Sequence, residues 1–220
     1  MSDLRRKDVH LSIQYLMKIA LFGTSADPPT IAHQEIISWL GSQFNRVAVW
    51  AANNPFKVHG ASLEQRSQML ELLIDEIDPT INQHIQVYRS LSSQRTIETL
   101  TTATTIWGNS EFTLTIGADL ITQLPQWYQA SKLLSQVELL IVPRIGNQIE
   151  SIDLQRLVDM GAKITIAPLS TPQISSTVIR TSHSIQGLTP KVARYIQQLN
   201  LYSITDDSRD RSKLKQTDPC

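Results

Sequence analysis

Lys18-Ile19-Ala20-Leu21-Phe22-Gly23-Thr24-Ser25-Ala26-Asp27-Pro28-Pro29-Thr30-Ile31-Ala32-His33 opens on an unbroken apolar run, crosses a loop bearing Gly and Pro, and enters a helix carrying Ile36, Ile37 and Leu40. An uninterrupted run, unlike an alternating one, suits a strand buried on both faces. Similar runs follow at Val47-Ala48-Val49-Trp50-Ala51, Phe112-Thr113-Leu114-Thr115-Ile116, Leu139-Leu140-Ile141-Val142 and Lys163-Ile164-Thr165-Ile166-Ala167, with a weaker one at Ile85-Gln86-Val87-Tyr88. Helical stretches lie between them. The clearest runs from Ser62 to Ile77: Ser62 and Gln65 have the spacing of a capping box, and Leu70, Leu73, Ile74 and Ile77 share one face. Alternation of strand and helix predicts an α/β fold, with a mostly parallel sheet of five or six strands and helices on both faces.

The 220 residues fit one domain with short appendages. Lys plus Arg number 20 and Asp plus Glu number 20, so there is no cationic surplus of the kind that nucleic acid or an anionic membrane attracts. Neither is expected as a partner. An apolar share of 41% supplies a core. Cys220 is the only cysteine, which excludes an intrachain disulfide and a thiolate zinc cluster and fits a reducing cytosol. No apolar stretch is long enough for a spanning helix. Leu11-Ser12-Ile13-Gln14-Tyr15-Leu16 is too short and polar for a signal-peptide core, so a cytoplasmic protein is expected. Met17 reads as a natural start, making residues 1–16 an extension or a start-site artefact, ahead of a domain over 17–205. Residues 206–220 mix acids and bases with almost nothing apolar, and read as a disordered tail.

In a parallel sheet, the carboxyl end of a strand and the amino end of the next helix meet at the binding crevice, where free N–H groups and the helix dipole attract phosphate. Gly23, Thr24 and Ser25 stand there. Gly23 would let the main chain approach a ligand closely. Thr30 and His33, at i and i+3, would share a face turned toward the crevice. The alternative is an ordinary turn, with Thr30 as a helix cap and His33 as a structural histidine. A second stretch, Ile174-Ser175-Ser176-Thr177-Val178-Ile179-Arg180, offers hydroxyls at a helix start and an Arg one turn on. Its alternative is a plain N-cap with a solvated Arg.

Together the two stretches resemble the nucleotidyltransferase superfamily, with its His/Thr-x-x-His and Ile-Ser-x-x-x-Ile-Arg signatures. More narrowly, the chain resembles bacterial nicotinate-nucleotide adenylyltransferases, most of all cyanobacterial members. The likeness spans about residues 17–203. Supporting blocks run in order: Asn53-Asn54-Pro55-Phe56-Lys57-Val58-His59, Gln65-Arg66, Thr96-x-x-Thr99-Leu100, Ile116-Gly117-Ala118-Asp119, Pro125-Gln126-Trp127-Tyr128 and Val142-Pro143-Arg144-Ile145-Gly146. Departures are Gly23-Thr24-Ser25-Ala26 for the commoner Gly-Gly-Thr-Phe, Thr30 for His, Ala32 for Gly and Ile145 for Pro. Thr at position 30 occurs in relatives that adenylate a different phosphate, so it leaves the acceptor open.

The resemblance implies a Rossmann-like, doubly wound fold and attack by the 5′-phosphate of nicotinate mononucleotide on the α-phosphorus of ATP. It implies His33 and Thr30 as donors to the ATP phosphates, and Arg180 with Ser175 and Ser176 as holders of the β and γ groups. Gly23, Thr24, Ser25 and Ile174 complete the ATP side. Trp127 would stack on the pyridine ring, with Tyr128 N–H and the Thr96 hydroxyl near its carboxylate. Asn53, Lys57, Asp119 and Arg144 would serve the rest of the mononucleotide. Each has a plainer alternative: Trp127 as core, Asp119 as a cap, Arg144 and Lys57 as solvated cations. Mg²⁺ is expected on the phosphates, with no protein metal site. Some relatives self-associate, so a homo-oligomer is left open. Other acceptors (nicotinamide mononucleotide, a phosphopantetheine-like phosphate) and a non-catalytic nucleotide-binding protein are the alternatives. His10, His59, His84 and His183 carry no assignment.

Overall fold

The computed structural model describes residues 16–204, apart from 147, 170, 172 and 173. The expected tail, and the expected extension except for Leu16, lie outside the described residues. The strands are β1 (Lys18–Thr24), β2 (Arg46–Ala51), β3 (Ile85–Val87), β4 (Glu111–Gly117), β5 (Glu138–Val142) and β6 (Lys163–Ile166). The helices are α1 (Ile31–Gln43), α2 (Leu63–Ile74), α3 (Pro79–Asn82), α4 (Thr96–Trp107), α5 (Ala130–Leu134), α6 (Ser151–Asp159), α7 (Ser176–Ser182) and α8 (Pro190–Gln198).

All six strands form one parallel sheet in the order β3-β2-β1-β4-β5-β6. Successive side chains of a strand point to opposite faces, so β1 feeds two cores. Ala20 and Phe22 join Ile36, Ile37 and Leu40 of α1, Met69 and Leu73 of α2, Ile179 of α7 and Val192 of α8. Ile19 and Leu21 face Leu100 of α4, Leu133 of α5 and Leu157 of α6. Both faces being covered explains why the central strands read as unbroken apolar runs. β6 is an edge and is less covered, with Ile166 exposed.

The helix expected to run to Ile77 ends at Ile74. Ser62 Oγ accepts from Gln65 N–H and Gln65 Oε1 accepts from Ser62 N–H, the reciprocal pair its spacing predicts. Ile77 then reaches the core from a turn, its N–H on the Ile74 carbonyl. β1 pairs with β2 on one side and β4 on the other, so the chain reverses its winding there. The crevice beyond the carboxyl ends of β1 and β4 is where such sheets bind ligands. No described helix is long and apolar enough to cross a membrane.

Candidate active site

β1 delivers the chain into the loop at the switch point, and Thr30, fully buried, is the N-cap residue of α1. His33 Nδ1 accepts the Thr30 N–H at 3.1 Å and lies 2.9 Å from Thr30 Oγ1. A main-chain N–H only donates, so Nδ1 is the bare nitrogen and the neutral ring carries its proton on Nε2. Burial lowers the pKa of His33 to about 4, with the charges of Arg144 and Lys57 acting in the same direction. The result is a neutral, oriented N–H donor close to two cations. Thr30 and His33 were expected to turn toward the crevice together. Instead, the threonine hydroxyl is engaged with the imidazole, because an N-cap side chain folds back over the first turn of its helix.

The two stretches expected to hold ATP meet. Ser176 Oγ donates to the Pro28 carbonyl at 2.8 Å, and Arg180 Nη1 donates to the Asp27 carbonyl. Ser175 is the N-cap of α7, its Oγ accepting from Val178 N–H at 3.2 Å. Ile174 packs against the first core, and its Cγ2 fills the space a Cβ at Gly187 would need. Gly23 has a different neighbour from the ligand expected: a Cβ there would come within 2.5 Å of the Trp50 indole, so the glycine makes room for a ring from β2.

The loop after β2 approaches from the other side. Lys57 Nζ donates to Ser25 Oγ at 2.9 Å. Arg66, almost wholly buried, donates from Nη1 to the carbonyls of Ser25 at 2.8 Å and Ala52 at 2.9 Å, and so ties the loops after β1 and β2 together. Burial lowers its pKa, while Asp27 and Tyr202 act against that. Asn53 is half-buried where this loop leaves the sheet, whereas Phe56 and Val58 are each 95% exposed.

A second group lies on α4 and the connection from β4 to α5. Thr96 opens α4 and is half-buried. Trp127 follows the turn Leu124–Gln126 and packs partly against the second core. Tyr128 is half-exposed, and the Arg95 guanidinium lies 4.0 Å from its ring centroid. That contact joins the chain beside Thr96 to the chain beside Trp127. Asp119 meets Arg144 Nε at 3.6 Å, spanning the ends of β4 and β5.

Sequence reasoning assigned nothing to Asp27, Tyr202 or Arg95, and gave Arg66 no role beyond its place in a block. Asp27 is fully buried and accepts from Gly60 N–H, Ala61 N–H and Tyr202 OH. Its signal was an acid in a loop between an alanine and two prolines, where a solvated side chain is the default expectation. Tyr202 carried no local signal. Arg66 looks like the polar face of an amphipathic helix until Ser25 and Ala52 are brought over it. Among the described residues no group of three or more His, Cys, Asp or Glu is placed to hold a metal ion. Asp27 accepts from N–H and O–H donors, and Asp119 pairs with Arg144.

Residues 21–182 match the cytidylyltransferase-like family. A protein of Synechocystis sp. named a probable nicotinate-nucleotide adenylyltransferase is 42% identical over 84% of this chain and 99% of its own length. The nicotinate-nucleotide adenylyltransferase of Bacillus subtilis is 24% identical over 85% of this chain and 99% of its own. The solved structure of Plasmodium falciparum nicotinic acid mononucleotide adenylyltransferase complexed with NaAD shares the fold, with a TM-score of 0.71 at 20% identity, covering 86% of this chain and 98% of that one.

Proposed function

The chain belongs to the nicotinate-nucleotide adenylyltransferases, within the cytidylyltransferase-like family, and on that premise we propose that it joins ATP and nicotinate mononucleotide into nicotinate adenine dinucleotide, releasing pyrophosphate. The observation that carries this reading is the meeting of the loop after β1 with the start of α7, through Ser176 on Pro28 and Arg180 on Asp27, beside a neutral His33 flanked by Arg144 and Lys57.

A phosphate monoester is anionic near neutrality and needs no general base. One of its oxygens forms the new bond to the α-phosphorus while the bond to the bridging oxygen of the β-phosphate breaks, and that electron pair leaves with pyrophosphate. The protein's work is alignment and the placing of donors where charge builds up. His33 would donate from Nε2–H to an α-phosphate oxygen, with Thr30 holding the ring through Nδ1. Arg180 with Ser175 and Ser176 would steady the departing phosphates, and the main chain of Gly23, Thr24 and Ser25 would line the nucleotide. With the nearby carboxylates engaged by other groups, Mg²⁺ fits as a companion of the ATP phosphates, where it would neutralise developing charge. On the acceptor side, Trp127 would stack on the pyridine ring, with Tyr128 N–H and the Thr96 hydroxyl toward its carboxylate. Asn53, Lys57, Asp119 and Arg144 would bind ribose and phosphate.

Incubating the protein with ATP, Mg²⁺ and one mononucleotide at a time tests this. Nicotinate mononucleotide is expected to give dinucleotide and pyrophosphate in equal amounts. Dinucleotide from nicotinamide mononucleotide alone would move the acceptor assignment, and ATP binding without pyrophosphate release would end the enzymatic one.

A further inference from the structure

Asp27 has donors from separate parts of the chain. Oδ2 accepts from Gly60 N–H at 2.9 Å, and Oδ1 accepts from Ala61 N–H at 3.1 Å and from Tyr202 OH at 2.8 Å. Arg180 Nη1, on the Asp27 carbonyl, is also 3.7 Å from Oδ2, and His59 Nδ1 is 3.5 Å from it. A fully buried carboxylate persists only in such company.

Tyr202 is fitted to this place. It follows α8 in a turn where Asn200, Tyr202 and Ser203 all have positive φ, of 50°, 59° and 53°. Side chains other than glycine adopt that region only when their surroundings hold them there. Its carbonyl meets His183 Nδ1 at 2.9 Å. Its ring occupies the slot over Gly60, where a Cβ would come within 2.8 Å of Cε1. Burial, with the Asp27 carboxylate adding to it, pushes the phenol pKa upward, so the hydroxyl stays a donor.

We propose that Tyr202 is a positioning residue for the transfer reaction: by holding Asp27, it fixes the loop after β1, the Arg180 guanidinium and the end of the 53–59 loop relative to one another. The proposal rests on the adenylyl-transfer reading. Without the phenol, Oδ1 keeps a single neutral donor, and the carboxylate becomes free to swing toward Arg180. The guanidinium then leaves the main-chain carbonyl for the side chain, shifting the group assigned to the leaving pyrophosphate. Gly60 and Ala61, which close the acceptor loop, lose their fixed anchor in the same motion. A misplacement of this kind lowers the rate more than it weakens binding.

The test uses the full-length protein. Tyr202→Phe is expected to lower kcat about tenfold while KM for ATP changes less than twofold, with kcat normalised to the fraction of protein that binds ATP. Hydrogen exchange at the Gly60 and Ala61 amides is expected to speed up without matching acceleration in the central strands. Gly60→Ala, which crowds the Tyr202 ring while keeping the N–H that Asp27 accepts, should reproduce the rate loss and the faster exchange at Ala61, and should add little further loss in a Tyr202→Ala background, where the clash is gone. A kcat for Tyr202→Phe within twofold of the parent, or unchanged exchange at residues 60 and 61, overturns the proposal. If the parent makes dinucleotide from neither mononucleotide, the adenylyl-transfer reading has failed and the rate effect falls with it. The exchange result still separates an anchor at Asp27 from a ring that merely fills space.

Discussion

The two halves of the proposed site are built differently. On the side proposed for the triphosphate, Asp27 and Thr30 are fully buried and the polar groups are bonded to one another: Thr30 to His33 within the first turn of α1, and across the loops Arg66 to Ser25 and Ala52, Ser176 to Pro28, Arg180 to Asp27. On the side proposed for the acceptor, Phe56 and Val58 are 95% exposed and Tyr128 is half-exposed, with the Arg95 guanidinium over its ring. A pre-bonded site has already met the entropic cost of ordering its groups before substrate arrives, so its donors can act on the transition state. An open one meets that cost on binding. Rate should therefore depend on the first half and affinity for the mononucleotide on the second.

The sharpest way to break that division is His33→Ala. Loss of one positioned donor is worth about 3 kcal/mol in the transition state, so kcat should fall about a hundredfold or more with KM for the mononucleotide little changed. A folded variant with the parent rate would remove His33 from the chemistry. The same residue should show in stability. Its pKa in the folded chain, about 4, lies below the ordinary 6.5. Between those values the unfolded chain binds more protons, so stability is fully present above about pH 6.5 and is lost as pH falls toward 4. The slope reaches at most about 1.4 kcal/mol per pH unit. Denaturant unfolding at pH 4.5 and 6.5 should show a larger difference for the parent than for His33→Ala. Equal differences would mean that the ring is not held neutral.

Trp127→Ala tests the other half. The indole packs partly against the second core, so the variant should lose some stability. Its main effect should be a rise of about fivefold in KM for the mononucleotide, from a lost stacking contact worth about 1 kcal/mol. ATP affinity should stay within twofold, as measured by titration calorimetry. Weakened ATP binding alone would return Trp127 to the core and erase the contrast between the halves.

The sequence made the strands legible because β1, β2, β4 and β5 are covered on both faces, and an unbroken apolar run has few other uses. Ser62 and Gln65 announced the start of α2 through a contact only three residues long, and the loop leading to His33 was visible for the same local reason. What stayed hidden was set by tertiary neighbours. Tyr202 reaches Asp27 across 175 positions, and no window along the chain contains both. The need for glycine at 23 comes from the Trp50 ring of a different strand. The Thr30 hydroxyl was assigned to the crevice because spacing tells which face a residue shares but not which partner its side chain takes.

The smallest effects should come from the most exposed groups, and they separate a loop that serves binding from one that serves the fold. Phe56 and Val58 bury almost nothing, so Phe56→Ser and Val58→Ser should each leave unfolding free energy within about 0.5 kcal/mol of the parent. Lys57 is held to Ser25 by one exposed contact, so Lys57→Gln should cost stability no more than that. If the loop closes over the mononucleotide, all three should raise its KM by about two- to threefold while kcat and ATP affinity hold. A fall in kcat for Lys57→Gln with KM unchanged would mean that its charge beside His33 acts on the reacting phosphate, and Lys57 would then belong with the pre-bonded half despite its exposure.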